Sequence, residues 1–253
     1  MNGNGVSENG VSAIVAPLLE LRGVDAGYGP FKALFGVDFA VERGRVLTLL
    51  GSNGCGKTTV ARVCSGLIAP SAGEVRFDGQ PMTGRHAYEY ARAGVTHAPE
   101  GRSVFASLTV HENLQLALLR SRGKHGVAAA IAEAYELFPR LSTRSRQLAG
   151  TLSGGEQRML SLARVLVDKP RLLIADELSL GLAPIVVDEV YATLRRIRDA
   201  GTTLLIVEQH VGHALAIADD VIVLIKGEIS FSGPVAELGD LSERLLAGGA
   251  PAS

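Results

Sequence analysis

Residues 51–58 read Gly-Ser-Asn-Gly-Cys-Gly-Lys-Thr, and no other stretch of this chain narrows its fold so far. The glycines let the backbone bend so that successive N–H groups point inward, as phosphate oxygens require. The segment matches G-x-x-x-x-G-K-[ST] at every defined position. It follows the apolar run Arg45–Leu50, which fits a strand buried on both faces. It opens a predicted helix over Lys57–Ser65, with Gly66 where a helix would stop. The start of that helix adds partial positive charge to the loop. Gly51, Ser52, Asn53, Gly54, Cys55, Gly56, Lys57, Thr58 and Thr59 are therefore the candidate phosphate-binding residues. Lys57 is expected to reach the β and γ phosphates of a nucleotide, and the Thr58 hydroxyl to ligate Mg²⁺.

The rest of the chain alternates strands with helices around that loop. Leu18–Gly29 and Ala33–Gly44 are partly alternating and punctuated by glycine, as in an antiparallel sheet. Residues 106–165 are richer in Ala, Leu, Glu and Arg, with helical spacing over Glu112–Leu119 and Ala128–Leu137. They read as an inserted helical lobe. Beyond it come a buried strand Arg171–Ala175, a helix near Pro184–Arg198, a strand Thr203–Val207 and a helix His210–Ala218. A strand pair, Val221–Ile225 and Glu228–Ser232, closes the pattern. This order predicts an α/β P-loop fold with a mostly parallel core sheet, an N-terminal antiparallel β-subdomain and the helical lobe. A Gly-, Asn- and Ser-rich tail is expected over residues 1–16 and a single domain over 17–250.

Two further motifs carry chemistry. Asp176 and Glu177 follow the apolar residues Leu172–Ala175, at the carboxyl end of a predicted parallel strand, where ligands gather. Asp176 suits a metal, and Glu177 suits polarising an attacking water. Different carboxylates are needed, because a metal-bound oxygen is a poor base. Leu152-Ser153-Gly154-Gly155-Glu156-Gln157 precedes a helical run, with Ser153 as N-cap. Ser153, Gly154, Gly155 and Glu156 thus frame a second anion site at a helix start. One molecule does not need two γ-phosphate sites, but a second copy facing the first would use both.

With these motifs in this order, the chain resembles the ATP-binding-cassette (ABC) ATPases, whose signature is LSGGQ; LSGGEQ is a common variant. The resemblance runs from about Leu18 onward. It implies that Tyr28 stacks on adenine and that Gly181-Leu182 belong to a loop that helps pair two cassettes. Glu100, in Pro99-Glu100-Gly101-Arg102, stands where most members carry the Q-loop Gln, and joins Thr58 and Asp176 in the implied metal set. Gln209 stands at the switch position, usually His, with His210 one residue later. Lys57, Glu177 and Gln209 are the implied catalytic residues. Both departures, with Leu108-Thr109-Val110, Glu112-Asn113-Leu114, Leu137–Leu141, Gln147–Gly150 and Leu180–Pro184, are similar to the ATPases of branched-chain amino-acid importers. Leu178 replaces the usual proline of Asp-Glu-Pro, which is expected to loosen Glu177 modestly.

The resemblance implies ATP and Mg²⁺ as cofactors and a homodimer, or a heterodimer with a sister ATPase. It also implies integral-membrane permease subunits, an extracytoplasmic solute-binding protein reached indirectly, and a peripheral place on the cytoplasmic face of the membrane. The expected function is ATP hydrolysis driving uptake of branched-chain or related amino acids. The alternative is an ABC-type ATPase acting on nucleic acid or ribosomes. Chromosome-maintenance members need a long coiled coil between loop and signature, and residues 57 to 152 leave no room for one. Translation factors of the family usually carry two cassettes, and one phosphate loop is present here. Composition agrees with no nucleic-acid partner: 25 Lys+Arg against 26 Asp+Glu gives a net charge of −1, with no broad basic face implied. Two cysteines, Cys55 and Cys64, are too few for a disulfide scaffold. The apolar runs are of strand length, far below the roughly 20 residues of a membrane span. His210 and His213 lack a third metal ligand, and Arg140, Arg144 and Arg146 read as a solvated face.

Overall fold

The computed structural model describes residues 16–98, 104–167, 169–209 and 211–239. Glu100, His210 and most of the expected tail lie outside the described residues. In chain order the elements are β1 (Leu19–Tyr28), β2 (Phe31–Val41), β3 (Val46–Leu50), α1 (Lys57–Cys64), β4 (Ala72–Phe77), β5 (Gln80–Pro81), α2 (Ala87–Ala93) and β6 (Val95–Ala98). Then follow α3 (Val110–Leu137), α4 (Pro139–Thr143), α5 (Gly154–Leu166), β7 (Leu172–Asp176), α6 (Pro184–Asp199), β8 (Thr203–Glu208), α7 (Val211–Leu215), β9 (Asp220–Ile225) and β10 (Glu228–Pro234).

Two sheets result. The first is antiparallel, in the order β2-β1-β4-β5. The second runs β10-β9-β3-β8-β7-β6 and is parallel except where β10 turns back on β9. All residues of β3, β7 and β8 are buried. Their unbroken apolar character follows from having cover on both faces. One apolar core lies between the two sheets and takes in α1. Another packs β7 and β8 against α3, α5 and α6.

The lobe is built from capped helices. Thr109 and Glu112 form a reciprocal capping box at the start of α3. Asn113 is fully buried; its Oδ1 accepts from Phe105 N at 2.9 Å, and its amide donates to the carbonyls of Phe105 and Thr109 at 3.0 Å. That ties the loop before α3 to the helix. The two predicted helical runs form one element, interrupted at Gly123, whose φ of 66° breaks the helical path. The helix expected over His210–Ala218 is shorter, with α7 ending at Leu215. Beyond it the chain tightens into i→i+3 turns, and Asp219 is held to β3 through Val46 at both its N–H and its carboxylate.

The register decides where function sits. Leu50 pairs with Glu208, and Asp176 pairs with Val207. The carboxyl ends of β3, β8 and β7 therefore lie side by side. The phosphate loop, Gln209 and Glu177 leave the sheet from adjacent strands.

Candidate active site

The phosphate loop is shaped from both ends. Gly51 runs so close to β9 that a Cβ there would sit 2.4 Å from the Leu224 carbonyl oxygen and 2.5 Å from Cys55 Sγ. Gly56 caps α1 with φ 110°, a backbone state that other residues rarely adopt. The turn after β9 buttresses the loop, with Gly227 N donating to Cys55 O at 2.8 Å. Ser52, Asn53 and Gly54 are exposed at the crest. Cys55 is buried, and burial pushes its thiol pKa up against the lowering influence of Lys57. Cys64 is buried as a free thiol as well.

Lys57 is 4% exposed. Its Nζ donates to Gly51 O at 3.0 Å and Ser52 O at 3.1 Å, and lies 3.6 Å from Glu177 Oε1. The cation from one motif and the carboxylate from another are thus neighbours across the strand ends. Thr58, half-buried, lines a cavity of ≈ 560 Å³ with Tyr28, Arg62, Leu67, Ile68, His97 and Asp176. Asp176 is 1% exposed, and its Oδ1 has no hydrogen-bond partner among the described residues. An orphaned carboxylate oxygen in a cavity shared with a threonine hydroxyl fits a hard divalent cation. Thr58 and Asp176 are the described residues that would hold Mg²⁺. No three His, Cys, Asp or Glu side chains converge among the described residues, so the cation would also need phosphate oxygens.

Glu177 stands in a left-handed conformation, φ 47°. Its N–H donates to Val207 O at 2.8 Å, and its carbonyl accepts from Arg158 Nη2 at 2.9 Å. Leu178 is 1% exposed and anchors the turn in the core. Ser179 is fixed by Glu208, whose carboxylate accepts from Ser179 N at 3.0 Å and Ser179 Oγ at 2.8 Å. The same carboxylate accepts from Gln209 N at 3.3 Å, leaving the Gln209 side chain exposed. Tyr191 is buried beside Glu208; burial, then that negative charge, pushes its hydroxyl pKa up.

Tyr28 ends β1 beside α1. Its hydroxyl accepts from Arg62 at 3.0 Å, and the Arg62 guanidinium lies 5.8 Å from its ring. Ser153, Gly154, Gly155 and Glu156 start α5 and are not brought to the phosphate loop within this chain. The Ser153 hydroxyl accepts from Glu156 N, while Glu156 Oε2 accepts from Ser153 N at 2.9 Å. Glu156 Oε1 also pairs with Arg144 at 2.7 Å. Burial alone would raise the Glu156 pKa, but the Ser153 bonds and the nearby arginines outweigh it and lower it. Glu156 is thus engaged in a capping box, and Arg144 of the basic stretch is its partner. Arg140 pairs with Glu189 at 3.0 Å and His213 with Asp188 at 2.9 Å.

Sequence reasoning missed Arg158, Glu208, Asn113 and His97. The Glu156 box had a local signal, the S-x-x-E spacing. The other four act across 8 to 79 residues of chain and have none.

The family model described as "ABC transporter" matches residues 34–179. The high-affinity branched-chain amino acid transport ATP-binding protein BraG of Pseudomonas aeruginosa is 39% identical over 212 residues, 84% of this chain and 91% of that protein. The probable branched-chain amino acid transport ATP-binding protein LivF of Archaeoglobus fulgidus is 35% identical over 216 residues, 85% of this chain and 91% of its own length. A solved structure of an ATP-binding subunit of an ABC transporter superposes with a TM-score of 0.81 at 24% identity, covering 92% of this chain and all of that one. That likeness establishes the fold.

Proposed function

We propose, from the premise that this chain belongs to the ABC transporter family and binds and hydrolyses ATP, that it powers uptake of branched-chain or related small apolar amino acids. It is an importer's ATP-binding subunit, working through a separate membrane permease. No helix among the described residues is long and apolar enough to cross a membrane, which agrees with a solute path supplied by a separate permease. The proposed place is the cytoplasmic face of the membrane, and the proposed assembly is a pair of cassettes, alike or sister. The solute class rests on the names of the relatives.

The observation that carries the hydrolytic mechanism is the 3.6 Å approach of Lys57 Nζ to Glu177 Oε1 at the adjoining strand ends. Lys57 turns from the Gly51 and Ser52 carbonyls to the β and γ phosphates. The N–H groups of residues 51–58 hold the phosphate oxygens in fixed positions, at no reorganisation cost when charge moves. Thr58 and Asp176 would hold Mg²⁺, which would supply positive charge against the phosphates when bound. Glu177 orients the attacking water and takes its proton. Gln209 holds the γ-phosphate. Ser153, Gly154 and Gly155 present N–H groups to the nucleotide of the facing cassette. Because that nucleotide touches both chains only when they are closed, ATP favours closure and hydrolysis releases it.

Glu177→Gln is expected to bind ATP as the wild type does and to turn over at least about tenfold more slowly. Near wild-type turnover would remove Glu177 from the base role. Lys57→Ala is expected to weaken nucleotide binding, and unchanged affinity would contradict the loop assignment. Affinity purification from native membranes tests the transport reading. Multi-span permease subunits support it; ribosomal or DNA-bound proteins without a permease overturn it. Loss of radiolabelled leucine, isoleucine and valine uptake on deletion tests the solute class.

A further inference from the structure

We propose that Glu208 is a positioning residue for hydrolysis, its single carboxylate holding the turn that carries Glu177 in register with Gln209. The inference rests on the hydrolytic reading given above and deepens it: it names the group that sets the water-activating side of the site against the γ-phosphate side.

Glu208 ends β8 and is 1% exposed. Its Oε1 accepts from Ser179 N at 3.0 Å. Its Oε2 accepts from Ser179 Oγ at 2.8 Å and from Gln209 N at 3.3 Å. Three donors from two separate loops thus meet on one group. The buried Tyr191 hydroxyl lies beside it as well. Keeping a charge in the core is costly even when it is well bonded, and an apolar residue of similar volume would serve packing at least as well. The rest of β8, Thr203–Val207, is buried and has no ionisable side chain. The carboxylate stands where the strand meets the site, and it holds loops rather than the sheet.

The bonds fall in a pattern. Val207 and Glu208 are consecutive on β8. Val207 O accepts the N–H of Glu177 at 2.8 Å, and Glu208 accepts the N–H of Ser179. Both ends of a three-residue turn are therefore pinned to neighbouring strand residues, with Leu178 between them buried in the core. The Ser179 contact has two prongs, backbone N–H and hydroxyl, so the orientation of the carboxylate is fixed as well as its distance. The same Oε2 fixes the first N–H beyond the strand, that of Gln209. Glu177 and Gln209 thereby share one anchor, and a shift of either loop strains the bonds of the other. A misplacement of about 1 Å at a reacting site can cost about a hundredfold in rate. Leu50, the last strand residue before the phosphate loop, pairs with Glu208. A collapse of this end of β8 would therefore disturb the phosphate loop and weaken nucleotide binding, whereas loss of positioning alone would lower the rate and leave binding intact.

The test is a double-mutant cycle on the full chain, read by single-turnover ATP hydrolysis, fluorescent-nucleotide binding and a thermal melt. Glu208→Gln keeps the shape and one acceptor oxygen and gives up the other. It is expected to lower kcat about tenfold while nucleotide affinity stays within about twofold. Ser179→Ala, which removes the hydroxyl prong, is expected to lower kcat about threefold, and Ser179→Thr, which keeps both donors, to recover most of that loss. Because Glu208 acts in large part through Glu177, Glu208→Gln placed in a Glu177→Gln background is expected to lower the residual rate by only about threefold or less. If Glu208→Gln does not fold, Ser179→Ala carries the same cycle. Three results overturn the inference and leave the hydrolytic reading standing: an unchanged kcat in the folded variant, a fall in nucleotide affinity matching the fall in rate, or a loss repeated in full in the Glu177→Gln background. Near wild-type turnover in Glu177→Gln itself overturns the hydrolytic reading, and the inference with it.

Discussion

Arg158 offers the most direct probe of how the α5 helix acts on Glu177. It is 4% exposed and donates to the Glu177 carbonyl at 2.9 Å. Arg158→Met keeps most of the aliphatic stem and removes the guanidinium. A hydrogen bond from a charged donor contributes about 1.5–3 kcal/mol. Glu177 holds φ 47°, a conformation that costs a residue with a side chain roughly 1–2 kcal/mol. The bond and the strain are therefore of similar size, and losing the bond lets the backbone relax. The Leu180 N–H still reaches the same carbonyl at 3.3 Å, so the loss falls toward the lower end. A shift of ~1.4 kcal/mol in the poised conformer corresponds to about a tenfold fall in kcat. ATP affinity is expected to stay within about twofold, because the phosphate loop is untouched. Arg158→Lys, which keeps the charge and a donor, is expected to recover part of the rate. The assays are single-turnover ATP hydrolysis, fluorescent-nucleotide binding and a thermal melt. An unchanged kcat in a folded Arg158→Met protein would refute the reasoning. So would a loss of ATP affinity matching the loss of rate.

Leu178→Pro removes no backbone hydrogen bond among the described residues, so turnover is expected to change by less than about tenfold; a change of several hundredfold refutes this. Gly51→Ala drives a methyl group into the Leu224 carbonyl and Cys55, and is expected to abolish nucleotide binding in a fluorescence titration. Gly212→Ala, which meets open space, is the control and should bind normally. Asp78 is held by Arg171 and Arg43, which keep its carboxyl below the usual range. Its folded pKa is depressed, so its contribution to stability is present above the ordinary value of 3.8 and lost as pH falls through the lower folded value. Urea unfolding of wild type and Asp78→Asn should therefore differ near neutral pH and converge in acid; a gap that widens in acid would refute the assignment.

The site divides cleanly into what neighbouring residues announce and what distant ones supply. The phosphate loop is legible because glycine spacing, a buried strand and a helix start all fall within about twenty residues. Asp176 and Glu177 are legible because an unbroken apolar run ends on them. The strands β4 and β6 and helix α2 were not read at all. Gly-Glu-Val-Arg-Phe and Val-Thr-His-Ala are too short to show a period, and it is pairing with β1 and β7 that makes them strands. Glu208 closes a run of buried residues, and nothing nearby says that Ser179 will meet it. Glu156 has a structural task as well. It belongs to the motif read as an anion site, yet its carboxylate serves the helix that displays the motif.

The position of Glu177 is set by two elements that the sequence keeps apart. Its N–H is held by Val207 of β8, in the sheet that carries the phosphate loop. Its carbonyl is held by Arg158 of α5, in the helical lobe, one turn from Ser153. Two residues on, Ser179 is tied back to β8 through Glu208, which also holds Gln209 N. The left-handed turn at Glu177 is thus stretched between sheet and lobe. Any movement of α5 against β8 must be absorbed in the few dihedrals between those two bonds, because Leu178 is locked in the core. The carboxylate of Glu177 therefore responds to where the signature helix stands. On the proposed pairing of cassettes, displacement of α5 by the facing chain would pull on the Glu177 turn through Arg158.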